Sequence, residues 1–119
     1  MNFDRVDVGK AGQAIPGYLL AKDAVRGGAL LLHPYGGSKE HMLGLAAILA
    51  EEGWAALAID NCGHGENTAA IGTEMVQEVE AALSYLRRYG HTAALGLSLG
   101  GRLALTSTAA LAQAQAQSP

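Results

Sequence analysis

The chain has a single cysteine, Cys62, among 119 residues. It can form no internal disulfide, and no spaced set of thiols exists to build a structural metal site. No cofactor or metal is expected. Only three prolines are present, and the 16 glycines follow no three-residue period. Collagen-like and proline-rich extended architectures are thereby excluded. Charged residues make up 16% of the chain, eight basic against eleven acidic, and only Arg87 and Arg88 are adjacent cations. Without a positive stripe to follow a phosphate backbone, nucleic acid is not an expected partner. No apolar run approaches the roughly 18–20 residues that cross a bilayer, and the opening Met1-Asn2-Phe3-Asp4-Arg5 lacks the basic and apolar regions of a secretory signal. No membrane association is expected, and the expected location is cytoplasmic.

Half of the residues are hydrophobic, with 23 alanines and few aromatics. Such a chain has enough apolar surface for one compact domain. Residues Phe3–Val8 and Ala14–Leu20 alternate loosely around a glycine-containing turn and predict a hairpin at a sheet edge. Pro16, unable to donate a ladder hydrogen bond, argues for that edge placement. Three later runs, Ala29–Leu32, Ala55–Ile59 and Thr92–Leu97, are short and continuously apolar, as strands covered on both faces require.

Helical patterns separate these runs. Ser38 is a candidate cap for a helix that buries Met42, Leu45, Ala46 and Leu49 and ends at Gly53. Thr73 precedes a second, with Val76, Val79, Leu83 and Leu86 on one face and Gly90 as its stop. A third begins near Leu99 and carries Leu103, Leu105 and Leu111. The alternation predicts an α/β fold, a mostly parallel sheet of about five strands with three flanking helices. Residues 112–119, AQAQAQSP, form a low-complexity tail to which no chemistry is assigned.

Three loops could carry chemistry, and each follows an apolar run. Gly96-Leu97-Ser98-Leu99-Gly100-Gly101 fits G-x-S-x-G where a strand gives way to a helix. A serine on so sharp a turn needs small neighbours two residues away on each side, and Gly96 and Gly100 supply them. The turn sets Ser98 at a helix start, where the Leu99 N–H is free to stabilise an oxyanion. A glycine-rich turn that only packs tightly, or that cradles a phosphate, is the structural alternative. No Gly-Lys-Ser/Thr follows it, however, and no acidic residue lies downstream for a ribose. His33-Pro34-Tyr35-Gly36-Gly37 offers a second backbone donor. Pro34 has no N–H, which makes the main chain of Tyr35 the candidate, while Gly36 and Gly37 allow close approach. Asp60-Asn61-Cys62-Gly63-His64-Gly65 reads as a braced loop, with Asp60 its organiser. A Cys62–His64 thiol–imidazole pair is the less favoured alternative. His41 and His91 read as solvated.

Taken in order, HPYGG, DNCGHG and GLSLGG resemble the motifs of the α/β-hydrolase superfamily, serine hydrolases of the esterase, lipase and aminopeptidase-like kind. The likeness runs from about Ala14 to Ala110, so residues 1–111 are expected to be the N-terminal portion of such a domain. The resemblance implies a sheet order 1-2-4-3-5 and an acyl-enzyme on Ser98. Backbone N–H groups of Tyr35 and Leu99 would form the oxyanion hole, with His33, Gly36, Gly37, Asp60, His64, Gly96 and Gly100 in support. Pro34 stands where glycine is common in the family, and Cys62 where arginine is frequent.

The triad of this family continues from serine to an acid and then a histidine. After Ser98 the sequence contains no Asp, Glu or His. A serine without a base retains only the residual rate, ~10³ to 10⁴-fold over water, that oxyanion stabilisation and binding provide. In the family order His33 would leave the sheet beside Ser98, but the family uses that region for the oxyanion hole. The reading is therefore a serine hydrolase for carboxylic esters or related acyl substrates whose acid and histidine come from elsewhere. The expected partners are a small acyl substrate and either a complementing C-terminal half or a second copy at the open sheet edge. A non-catalytic α/β remnant or interaction module is the competing reading.

Overall fold

Short apolar runs and amphipathic stretches alternate in the computed structural model, which describes residues 1–9, 13–69 and 74–96. Strands β1 (Asn2–Asp7), β2 (Pro16–Ala21) and β3 (Gly27–Leu32) come first. A 3-10 turn, Lys39–Met42, leads into α1 (Leu43–Glu51), followed by β4 (Trp54–Ile59). Helix α2 (Glu74–Leu86) ends in a second 3-10 turn before β5 (Thr92–Gly96). The strands form one sheet in the order β1-β2-β4-β3-β5, as expected. The third helix with Leu99, Leu103, Leu105 and Leu111, the tail 112–119 and Thr73 lie outside the described residues.

The sheet is mixed, with β2 its one reversed strand: β1–β2 and β2–β4 run antiparallel, β3–β4 and β3–β5 parallel, so four of the five strands share a direction. One expectation needs correction: Pro16 does not mark an edge, because β2 lies between β1 and β4. As the first residue of its strand it is tolerated for another reason, since only its carbonyl is needed, and that accepts the Asp60 N–H at 2.9 Å.

Among the described residues, each face of the sheet is covered by one helix. On the α2 side Leu30, Leu32, Leu57 and Ile59 pack with Val79, Ala82, Leu83 and Leu86, all at most 3% exposed. Each large side chain so removed from water contributes roughly 1.5–3 kcal/mol. On the other side Ala56 and Ala58 of β4 meet Ala46 and Ala50 of α1, with Leu31 and Met42. Small residues on both partners let helix and strand approach closely. Leu45, expected in this interface, is 40% exposed, and Ala50 takes the buried place. The helix is apolar on nearly every side, so its sequence pattern could not distinguish the buried face.

The loops at the carboxyl ends of β3 and β4 are held by buried charge. Asp60, fully buried at the end of β4, accepts the Lys39 N–H at 2.8 Å, the Lys39 ammonium at 2.6 Å and the Glu66 N–H at 2.9 Å. The same ammonium reaches Glu66 Oε1 at 2.7 Å and stands 4.8 Å from the Tyr18 ring centre. Burial alone would push Lys39 toward its neutral form, but hydrogen bonds to Asp60 and Glu66 outweigh it and raise the lysine above its ordinary value. From below, the buried Glu78 of α2 accepts the Cys62 N–H at 2.8 Å and Asn67 Nδ2 at 2.6 Å. Asn67 Nδ2 also donates to the Asp60 carbonyl at 3.0 Å.

Two glycines should respond in opposite directions. A Cβ on Gly28 would stand 2.8 Å from Leu86 Cβ, whereas one on Gly44 in α1 meets nothing within 4 Å. Urea titration should show Gly28→Ala destabilised by about 1–3 kcal/mol and Gly44→Ala stabilised by roughly 0.5–1 kcal/mol. Replacing Lys39 by Met should cost about 3–5 kcal/mol, because Asp60 is left buried without its cation. The double variant Lys39→Met/Asp60→Asn should recover part of that loss in the same titration.

Candidate active site

Parallel strands deliver their carboxyl ends to one edge of a sheet. Leu32 of β3 is paired with Ile59 of β4 on one side and with Gly96 of β5 on the other. The loop after β3, the loop after β4 and the chain leaving Gly96 toward Ser98 therefore start side by side. Ser98, Leu99 and Gly100 themselves lie outside the described residues.

Residues 34–37 form a tight turn in which the Gly37 N–H donates to the Pro34 carbonyl at 2.8 Å. Gly36 occupies its third position with φ +80°, a conformation that favours glycine. The Gly36 N–H donates to His64 Nε2 at 3.0 Å. Of the three amides at 35–37, that of Tyr35 is thus the one with no partner among the described residues. Its ring is 65% exposed and stands edge-on to His64, centroids 5.3 Å apart.

The two histidines of this edge exchange hydrogen bonds between the loops. His33 Nε2 accepts the Asn61 N–H at 3.1 Å, and its Nδ1 lies 2.8 Å from the Pro34 carbonyl. His64 Nε2 accepts the Gly36 N–H, and its Nδ1 lies 3.0 Å from the Cys62 carbonyl. An Nε2 that accepts carries no proton, and an Nδ1 facing a carbonyl must carry one. Both rings are therefore assigned from their partners as the neutral Nδ1–H form. Their centroids are 4.9 Å apart. Burial lowers the His33 pKa, against a smaller opposing effect of the Pro34 carbonyl, with His64 adding to the lowering.

This pattern bears on several expectations. His33 has no free ring nitrogen to act as a base toward Ser98. His64 Nδ1 contacts the main-chain carbonyl of Cys62. Asp60 braces the loop as anticipated. Gly63 and Gly65 both have positive φ, and a Cβ on Gly65 would collide with the Asp60 carboxylate. His41 and His91 are exposed, though His41 Nδ1 accepts the Ser38 N–H at 3.0 Å. Among the described residues, no cluster of three or more His, Cys, Asp or Glu could hold a metal ion, and no helix is long and apolar enough to cross a membrane.

Sequence reasoning missed Lys39, Glu66, Asn67 and Glu78. Glu78 alone left a signal: it falls on the buried stripe of α2 beside Met75, Val79 and Ala82, where a carboxylate needs a reason. Lys39 and Glu66 lie 27 residues apart, and nothing local connects them. The Asn61 carboxamide is fully buried and has no hydrogen-bond partner among the described residues.

No family model and no curated protein matches the sequence. Solved structures do. An esterase from Pyrococcus furiosus is 20% identical, with a TM-score of 0.74 over 88% of this chain and 43% of its own. An alpha/beta hydrolase from Penicillium sp. sh18 is 17% identical, with a TM-score of 0.81 over 92% of this chain and 42% of its own. An epoxide hydrolase from Vigna radiata is 15% identical, with a TM-score of 0.76 over 91% and 35%. This chain thus spans less than half the length of each. The sheet order, the flanking helices and these likenesses together establish its architecture as part of the α/β-hydrolase fold.

Proposed function

We propose that the chain is the nucleophile-bearing part of a serine hydrolase acting on carboxylic esters or related acyl substrates. The observation that carries this reading is the juxtaposition at one sheet edge of an unpartnered Tyr35 N–H and the exit of β5, two residues before Ser98. Ser98 Oγ attacks the acyl carbonyl, the alcohol leaves, and an acyl-enzyme results. The N–H groups of Tyr35 and Leu99 hold the oxyanion, each such donor being worth roughly 10² to 10³ in rate. Both histidines that flank the edge are committed to backbone partners, and the 119 residues contain no Asp, Glu or His after Ser98. In this proposal the base and the acid come with a complementing segment beside β5. There Leu95 is 43% exposed, and the remaining length of the compared structures leaves room for one.

The commitment of both edge histidines to backbone partners also favours a second reading, a non-catalytic module of the same fold. Incubation with p-nitrophenyl acetate, followed by peptide mass spectrometry, separates the two. A nucleophilic Ser98 without a base acylates slowly and deacylates more slowly still, so a single acetyl group should accumulate on the Ser98 peptide. Ser98→Ala should abolish it. An unmodified Ser98 peptide, or label that survives the substitution, sinks the hydrolase reading and leaves the non-catalytic one.

A further inference from the structure

Neither His33 nor His64 is available as a base, and each instead receives a backbone N–H from the opposite loop. For His64 that bond lands on the turn that presents Tyr35. The Gly36 amide points at Nε2, and the ring is held in turn by the Cys62 carbonyl on Nδ1 and by the flanking rings of His33 and Tyr35. Cys62 is anchored through its own N–H to Glu78 of α2, so the imidazole stands on a part of the loop tied to the helix layer.

We infer that His64 is a positioning residue for the oxyanion turn: its neutral ring fixes the Gly36 amide, keeps the Tyr35 N–H aimed outward, and releases the turn on taking up a proton. The role in catalysis rests on the serine-hydrolase reading above, whereas the hold on Gly36 does not. The chemistry is that of a donor facing a donor. A protonated ring carries N–H groups at both nitrogens, so Nε2 can no longer accept from Gly36. The groups surrounding this ring are His33 at the end of β3, Tyr35 in the turn and Cys62 in its own loop. Beyond them lie Asp60 with Lys39 and Glu66, and Glu78 from α2. Lys39 pairs with Asp60 and Glu66, Arg5 also pairs with Glu66, and the Lys39 N–H on Asp60 holds the chain after the turn without the imidazole.

The test combines amide hydrogen exchange at Gly36, ring titration by NMR, and the rate of Ser98 acetylation. In the wild-type chain, Gly36 protection corrected for intrinsic exchange should fall about fivefold as the His64 ring, followed by NMR, takes up a proton, the loss of one hydrogen bond. In His64→Gln the Oε1 replaces Nε2 as an acceptor that does not titrate, so protection should persist over the same pH series. His64→Leu should lose it throughout, while the Lys39 and Glu66 amides bound to Asp60 stay protected. Acetylation at pH 7.5 should slow by at least about tenfold in His64→Leu and remain near wild type in His64→Gln, on the scale of a displaced oxyanion donor. Gly36 protection that ignores the titration of the ring overturns the inference, as does a His64→Leu variant that acylates at the wild-type rate. Wild-type protein that never acylates at Ser98 removes the hydrolase reading and the catalytic role with it. The exchange data then still decide whether His64 holds the turn.

Discussion

A carboxylate buried at the end of a central strand has to be neutralised, and the way Asp60 is neutralised shapes the whole upper edge of this sheet. Its oxygens collect one ammonium and two backbone N–H groups, from Lys39 on one side and from Glu66 on the other. Those contacts fix where the loop after β3 turns into α1 and where the loop after β4 folds back. The site is therefore positioned by an ion pair well below the solvent surface, where salt screens little. Truncating either partner would leave a buried charge, which makes the arrangement unforgiving rather than merely stabilising.

Above this knot the two histidines perform a different task. They carry no charge and bridge the loops by accepting backbone amides. The buried Asn61 amide needs an acceptor, and an imidazole can supply one while its other nitrogen donates to a carbonyl of its own loop. The result leaves Tyr35 as the turn residue whose N–H has no partner among the described residues. The negative finding about His33 and the support for Tyr35 thus come from the same set of bonds.

Beneath the edge, the two faces of the sheet are built differently. On one, leucines and isoleucine meet the broad apolar stripe of α2. On the other, alanines of β4 and α1 bring helix and strand close together. The flank of α1 carrying Leu45 and Ile48 remains exposed, and so does Leu95 of β5. Glu51 at the end of α1 pairs with Lys22, which follows β2 directly.

Much of the fold was legible in the chain because it follows from local patterns. Continuous apolar runs marked the inner strands, Gly53 and Gly90 marked helix ends through the positive φ they adopt, and three glycine-rich loops marked the functional edge. Pro16 misled because proline excludes only a donor, and the first residue of an inner strand needs none. Leu45 misled because an almost wholly apolar helix has no period to read. Tertiary structure alone decided which nitrogen of each histidine is occupied, that Lys39 serves Asp60 and Glu66, and that Glu78 reaches up to Cys62 and Asn67. Apart from the local carbonyls on the two Nδ1 atoms, those contacts join residues 11 to 28 positions apart, and a sequence records which groups are available but not which of them the folded backbone brings within a hydrogen bond.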